Sequence, residues 1–521
     1  MIIKKKLLII ILFLMFIIYT NLFNSSQKQR NYFKENQNNI SLKYNNIINN
    51  VNKNYKKIKI ENDVLSLIIN TNGGIIEEAK LLKYKKELNS TELFKLLETN
   101  NKFIYQIKNG LIKKQYLFNN LNKIINPKFK VEKKNNIIIN NKNYIFVPMC
   151  YKDNNNNILI KTFILKRNCY EIKIIDTFIN NNIIPIKLSY FGQINQSIDL
   201  PKYIIKKNLK DIAYSIDSEK YKQITLKDNI KLNLNYKFGW IAMLQKYFVT
   251  SIMPISKINN ILYNEKINNN VYIIGFQSNF INIKPFEIKN YKTALWIGPK
   301  LQNNMEILSP YLSKTINYGF LYFISKPLFK ILILIHNIIN NWGFSIILIT
   351  FFLRIIMLPI SKFQYIYLKK IKILNPKIKK IKKKYKHNLE ILNKKILKLY
   401  KIKKINPLLG LIPLLIQMPI FLSLYNILIE SVELRHSKFL FWINDLSSKD
   451  PYFILPILLS ITMYYVQKTS NMITNNSINK NIINYIPIIF SILFFWFPSG
   501  LIIYYIINNI FIIIQQKIYL K

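Results

Sequence analysis

The chain is poor in residues that mark most enzymes and scaffolds. In 521 residues there are two cysteines, three histidines, 11 glycines and 25 acidic side chains. Two cysteines, Cys150 and Cys169, exclude a disulfide-stapled scaffold, and their spacing alone leaves open whether they pair. His336, His387 and His436 lie far apart without ligand spacing, and nothing resembles a zinc site. No phosphate-binding loop and no nucleophile–base arrangement is present. No metal, nucleotide or other cofactor is expected.

Arginine is the most instructive scarcity. Lys and Arg total 76, yet only Arg30, Arg167, Arg354 and Arg435 are arginine. The formal charge of +51 invites a nucleic-acid reading. However, Ile, Asn and Lys dominate everywhere, as AT-rich codons would produce, so no specific DNA binding is expected. The informative places are those where positive charge is absent, or where it stands in apolar sequence. "FSIILITFFLRIIMLPI", 344–360, is such a place, because Arg354 interrupts an apolar run. A charge at the centre of a bilayer costs about 2.5–3.5 kcal/mol on insertion scales.

What is abundant is hydrophobic sequence, 50% of the chain. Residues 1–23 carry Lys4, Lys5 and Lys6 before an apolar run and lack a small-residue cleavage site. They read as a signal anchor with its N-terminus in the cytoplasm. Residues 24–58 are Asn/Lys-rich and read as a linker. From 59 to 325, short strand signals repeat. "VLSLIIN" runs into Asn72-Gly73-Gly74, and Tyr170, Ile172 and Ile174 alternate with Glu171 and Lys173. This predicts an extracytoplasmic all-β sandwich. Residues 326–341 read as an amphipathic helix lying in the membrane interface.

The C-terminal third reads as a membrane domain, with spans at about 343–361, 408–429, 451–467, 485–497 and 500–516. Asp450 reads as an N-cap, with Pro451 at the first helical position. The last two spans turn at Phe497–Gly500. Loop charge orients them. Residues 362–405 hold 17 Lys against one Glu, whereas 430–450 hold three basic and four acidic residues. The positive-inside rule puts the first loop in the cytoplasm and the second outside. The result is six spans with both termini cytoplasmic and residues 24–325 on the outer face. The lysine loop has apolar residues at Ile378, Ile381 and Tyr385, then Leu389, Leu392, Ile396 and Leu399, which describes a helical hairpin breaking near His387-Asn388. Its lysine face suits anionic lipid headgroups or ribosomal RNA.

Thr350, Arg354 and Ser361 fall on one helical face. Gln417 lies between Pro413 and Pro419, and Tyr504 and Tyr505 precede Asn508 and Asn509 by four residues. No acid lies in any of these five spans. A hydrated cavity lined by Arg354, Thr350, Tyr504, Tyr505 and Gln417 follows. The competing reading has Arg354 snorkelling to the headgroups, since Ser361 is about 10 Å away along a helix.

"NWGFSIILITFFLR", "NPLLGLIPLLIQMPIFLSLYNIL", "SVELRHSKFLFWINDLSSKDPYFILPIL" and "FFWFPSGLIIYYIINN" together resemble the YidC/Oxa/Alb membrane insertase family. "INTNGGIIEEA", "KFGWIAMLQKYF", "LWIGPKLQ" and "FISKPLFKILILIHNI" resemble the periplasmic domain and interfacial helix of its Gram-negative members. The resemblance implies a bacterial inner-membrane chaperone, not an enzyme. It would insert nascent membrane proteins alone or with the Sec translocon. The core would be five helices, 342–516, beside the β-sandwich. Arg354 matches the family's groove arginine, and Thr350, Tyr504 and Tyr505 match groove positions. The sequence stops at Lys521 after a short basic stretch, 517–521, so ribosome contact would rest on the 362–405 hairpin. The rival readings are a small-anion transporter or channel, and an assembly factor acting through its outer domain.

Overall fold

The computed structural model describes residues 56–520, except 101–102, 115–121, 132–142, 198–210, 226–230, 257, 268–270, 386–387, 404–411 and 475–479. The expected signal anchor, nearly all of the 24–58 linker, His387 and Lys521 lie outside the described residues.

Residues 57–299 form two antiparallel sheets, of 11 and eight strands among the described residues. The turn at Asn72-Gly73-Gly74 joins strands Leu65–Asn70 and Ile75–Lys85. Gly73 and Gly74 have φ of 80° and 66°, a left-handed conformation that favours glycine. In strand Glu171–Ile179, Ile172, Ile174 and Phe178 are buried while Lys173 is exposed. The expected alternation is therefore present. The two sheets share a single core that includes Trp240, Trp296, Phe163 and Ile252.

The same alternation carries a charge pair into that core. Lys161 and Asp176 sit directly opposite each other on adjacent strands, both facing inward. Their side chains are 1% and 0% exposed, and 3.5 Å separates Nζ from Oδ1. Lys161 also donates to the Asn109 carbonyl and Asn109 Oδ1, at 2.8 and 3.0 Å. Asp176 Oδ2 accepts from Asn109 Nδ2 and the Tyr190 hydroxyl. Burial pushes the Asp176 carboxyl up and the Lys161 ammonium down, and each partner opposes the shift in the other. A buried pair of this kind is held by its geometry and its extra hydrogen bonds.

Past the sandwich, helices α1 (Gln302–Leu308), α2 (Tyr322–Ile339), α3 (Trp342–Ile356), α4 (Leu358–Lys384), α5 (Leu389–Ile402), α6 (Ile412–Glu430), α7 (Ile454–Thr474), α8 (Lys480–Phe494) and α9 (Ser499–Leu520) follow. α9 contacts α3, α4, α6 and α7. Their shared core includes Ile346, Ile349, Phe421, Leu424, Leu459 and Leu501. By length and composition, Gly319–Ile339 and Ser499–Tyr519 are long and apolar enough to cross a membrane. The first of these contains the helix expected to lie in the interface. A third candidate path, Trp342–Ile356 with Leu358–Ile366, is bent by 55°.

That bend corrects one expectation. Thr350, Arg354 and Ser361 do not share a helical face, because α3 ends at Ile356 and Ser361 belongs to α4. Pro359 explains the break: it has no N–H for the Ile355 carbonyl, and its ring crowds that turn. α4 then runs on into the lysine-rich segment and through Pro376. Leu374 and Ile378 on α4 pack with Ile396, Leu399 and Tyr400 on α5, forming the hairpin. Asn388 caps α5, its Oδ1 accepting from Ile391 N at 3.1 Å.

A second correction concerns Asp450. It does cap, but α7 starts at Ile454, with Pro451 in a preceding turn. Asp450 is 1% exposed because its carboxylate accepts from three donors: Leu455 N, Tyr452 N and Trp442 Nε1. Cys150 and Cys169 are not joined by a disulfide.

The segment after α6 joins the two halves. Val432 is buried in the sandwich core. Arg435 Nη2 donates to the carbonyls of Lys85 and Lys86, 2.9 Å each. Its guanidinium lies 5.7–5.8 Å from the ring centres of Phe94, Tyr247 and Phe248. Such contacts contribute about 0.5–2 kcal/mol each as desolvation increases. Between these two residues, Glu433 has a carboxylate oxygen sealed from solvent without a partner. Burial pushes this carboxyl up to about 7.

Two outcomes follow. Lys161→Met leaves Asp176 buried and unpaired, and should destabilise the sandwich by about 3–5 kcal/mol. Thermal unfolding of the full chain in detergent reads this, and Lys161→Met/Asp176→Leu should recover most of the loss. A single variant that melts like wild type would show the pair to be dispensable. At Glu433 the folded state keeps its proton up to about pH 7, whereas the unfolded chain loses it near the ordinary carboxylate value. The native state therefore binds more protons in that window, and this contribution is full below it and is lost as pH rises towards 7. Glu433→Gln should melt above wild type at pH 8 and close to level with it at pH 4. A gap independent of pH would reject Glu433 as the source.

Candidate functional site

The site is built where α3 ends against α9. Arg354 occupies the last turn of α3, where the unpaired carbonyls of the helix terminus favour a cation. Its side chain is 7% exposed and turns into the bundle. Nε donates to Asn508 Oδ1 on α9 at 2.5 Å. No Asp or Glu pairs with it among the described residues. The phenols of Tyr504, Tyr365 and Tyr505 are titratable groups in its neighbourhood. The geometry is that of an arginine held inward by neutral groups rather than extended along its own helix.

The other expected residues take distinct places. Thr350 is fully buried and donates its hydroxyl to the Ile346 carbonyl at 2.6 Å, so its proton is committed to its own helix. Tyr504, 1% exposed, accepts at its hydroxyl from Gln417 Nε2 on α6. The bond spans α6 and α9 beside the arginine. Tyr505 packs edge-on against Phe421 and Phe494, with ring centres 5.1 and 5.2 Å away. Its body thus belongs to an aromatic cluster of α6, α8 and α9. Gln417 and Tyr504 are thus bonded to each other, Arg354 is held by Asn508 one turn further along the same α9, Tyr505 joins the aromatic cluster, and Thr350 sits one turn before Arg354 on α3.

The sequence reading grouped Asn508 and Asn509 on one polar face, and the structure divides them. Asn508 faces Arg354, while Asn509 Nδ2 donates to Thr462 Oγ1 on α7 at 3.1 Å. Lower on the same flank, Thr469 of α7 donates to Gln516. Tyr365 was not anticipated. It is 4% exposed on α4 and stacks on Tyr519 of α9, 5.6 Å between ring centres. The sequence signal for it was a tyrosine one turn beyond Ser361, masked by the assumption that the span ended there. The N-terminal end of α9 is stitched to the 445–450 segment by Ser499 N to Ser448 O, Gly500 N to Leu446 O and Ser499 Oγ to Asp445 O.

Two family models match the sequence: the YidC periplasmic domain over residues 57–331 and the 60Kd inner membrane protein over residues 334–521. The membrane protein insertase YidC of Buchnera aphidicola subsp. Acyrthosiphon pisum (strain APS) is 43% identical over 487 residues, covering 90% of each chain. The same protein from strain Tuc7 matches at the same identity and coverage. Among solved structures, an active YidC insertase crystal structure with the first transmembrane domain resolved aligns at 18% identity and a TM-score of 0.39. It covers 89% of this chain and 92% of that one. A galactose mutarotase-like protein from Lactobacillus casei ATCC 334 aligns to 46% of this chain at 9% identity, with a TM-score of 0.34. Neither structural likeness is close enough to bear on the site. The weight rests on the family models and on the sequence identity sustained along 90% of the chain, and by these the chain belongs to the YidC family of inner-membrane protein insertases.

Proposed function

We propose that this chain inserts and folds inner-membrane proteins through a groove centred on Arg354 and open to the cytoplasm. The observation that carries this reading is a buried arginine with no acidic partner among the described residues. A charge so placed keeps its attraction for an incoming polar or acidic segment, because no carboxylate has cancelled it. Tyr504, Gln417 and Asn508 supply neutral hydrogen-bonding groups around it, so a short polar tail finds donors and acceptors that lipid does not offer. The apolar part of the substrate then moves out into the bilayer, driven by its removal from water. Family membership favours this reading over a small-anion transporter.

The topology proposed for this task has six spans with both termini cytoplasmic. The signal anchor at 1–23 and the linker 24–58 precede the sandwich, 59–325, on the periplasmic face. The α2 segment lies in the outer interface, and the α4–α5 hairpin, 362–405, sits in the cytoplasm. The loop-charge asymmetry supports this arrangement. Partners are nascent membrane proteins, with the lysine face of the hairpin available to the ribosome and the Sec translocon acting beside the chain.

The test is complementation in cells depleted of their own insertase, with insertion of a short, acidic-tailed membrane substrate as the readout. Arg354→Ala should lower insertion about tenfold, the lower range for a lost hydrogen bond to a charged group. Arg354→Glu should lower it further, and Arg354→Lys should retain part of it. If Ala and Glu variants both insert that substrate as wild type does, the groove charge is not used.

A further inference from the structure

We infer that Asn508 is the positioning residue of the groove. Its carboxamide oxygen fixes the plane of the Arg354 guanidinium while leaving the positive charge uncancelled, and so sets a preference for substrates with an acidic tail. This rests on the insertase reading above and assigns within it a role to a second helix.

Arginine carries five N–H donors in a rigid planar fork. Holding Nε fixes that plane, because the two terminal nitrogens cannot turn independently of it. Asn508 holds it by a side chain that is itself 3% exposed, so the bond is made away from bulk water. The chemistry of the acceptor matters as much as its place. A carboxylate there would take Nε and a terminal nitrogen together as a bidentate ion pair. In a site of low dielectric, that pair would leave little field for a visitor. An amide accepts the same hydrogen bond and brings no charge.

The neighbouring asparagine provides the contrast. Asn509 is equally buried, 5% exposed, but turns about 100° around α9, one residue's rotation. There it bonds Thr462 and ties α9 to α7. Two adjacent residues of one type therefore separate a role in orienting the charge from a role in packing the helices. α9 is also fixed at its N-terminal end through Ser499 and Gly500. Substitution at 508 then alters the arginine's surroundings without removing the bonds that seat the helix.

The experiment uses the full chain reconstituted in vesicles, with two insertion substrates that differ only in one tail residue, Asp or Asn. Wild type should favour the Asp tail. Asn508→Asp should cut insertion of the Asp-tailed substrate about tenfold more than that of the Asn-tailed substrate, a change in the ratio of the two that loss of packing would not produce. Asn508→Ala, which frees the fork but keeps its charge, should narrow the preference without abolishing it. Asn509→Ala should lower both substrates alike. Wild-type preference in both Asn508 variants, or an equal fall for both tails in Asn508→Asp, overturns the assignment to Asn508. Arg354→Ala separates the two levels. If it inserts both substrates like wild type, the groove reading fails. If it loses the preference while both Asn508 variants keep it, only the role of Asn508 fails.

Discussion

A positive charge enclosed among apolar helices, with no counter-ion among the described residues, is the constraint from which the arrangement of the membrane core follows. Such a charge must be held by dipoles. Arg354 obtains them from the C-terminal turn of α3 and from the carboxamide of Asn508 on α9. The two helices thus meet at one residue. The break at Met357 belongs to the same design. Were α3 to continue straight, its terminal carbonyls would be spent on the next turn, and the favourable end of the helix dipole would lie elsewhere. Pro359 ends the ladder where the arginine needs it to end.

The other well-placed arginine performs a related task outside the spans. Arg435 joins the sandwich to the helices by setting its guanidinium among Phe94, Tyr247 and Phe248 and donating to two backbone carbonyls. Lysine, a strongly hydrated point charge, cannot supply a face and an edge together. In a chain where lysine replaces arginine nearly everywhere, two of the four arginines occupy positions that need a planar cation.

What could be read in the sequence were features repeated at short range or standing out by contrast. Strand alternation gave the burial of Ile172 and Ile174, and the Asn-Gly-Gly turn announced the hairpin of Leu65–Asn70 and Ile75–Lys85. Arg354 was visible because it interrupts an apolar run in an arginine-poor chain. What could not be read required the register or rotation of a second element. The alternation that buries Ile172 also buries Asp176, but nothing local says that Lys161 stands opposite. Asn508 and Asn509 look equivalent in the sequence, and only the positions of α3 and α7 separate them. Arg435 entered the reading as one unit of loop charge, since its aromatic partners lie some 190 to 340 residues earlier in the chain. The shared face of Thr350, Arg354 and Ser361 was an error of a different kind, because Pro359 stood in the sequence as a sufficient warning.

The two polar flanks of α9 reach different neighbours. One flank, Asn509 and Gln516, is bonded to Thr462 and Thr469 of α7. The other, Tyr504 and Asn508, is likewise bonded to side chains, those of Gln417 and Arg354. The N-terminal end of the helix is bonded instead through Ser499 and Gly500 to the backbone of the 445–450 segment. Side-chain hydrogen bonds between neutral partners contribute about 1 kcal/mol net, because competing polar groups replace them at little cost. In the reading proposed above, a polar segment would exchange side-chain bonds along α9 for its own and leave the backbone attachments of the N-terminal end intact. The division of α9 between Arg354 and α7 is made by Asn508 and Asn509, adjacent residues of the same type, which is why composition and spacing alone could not reveal it.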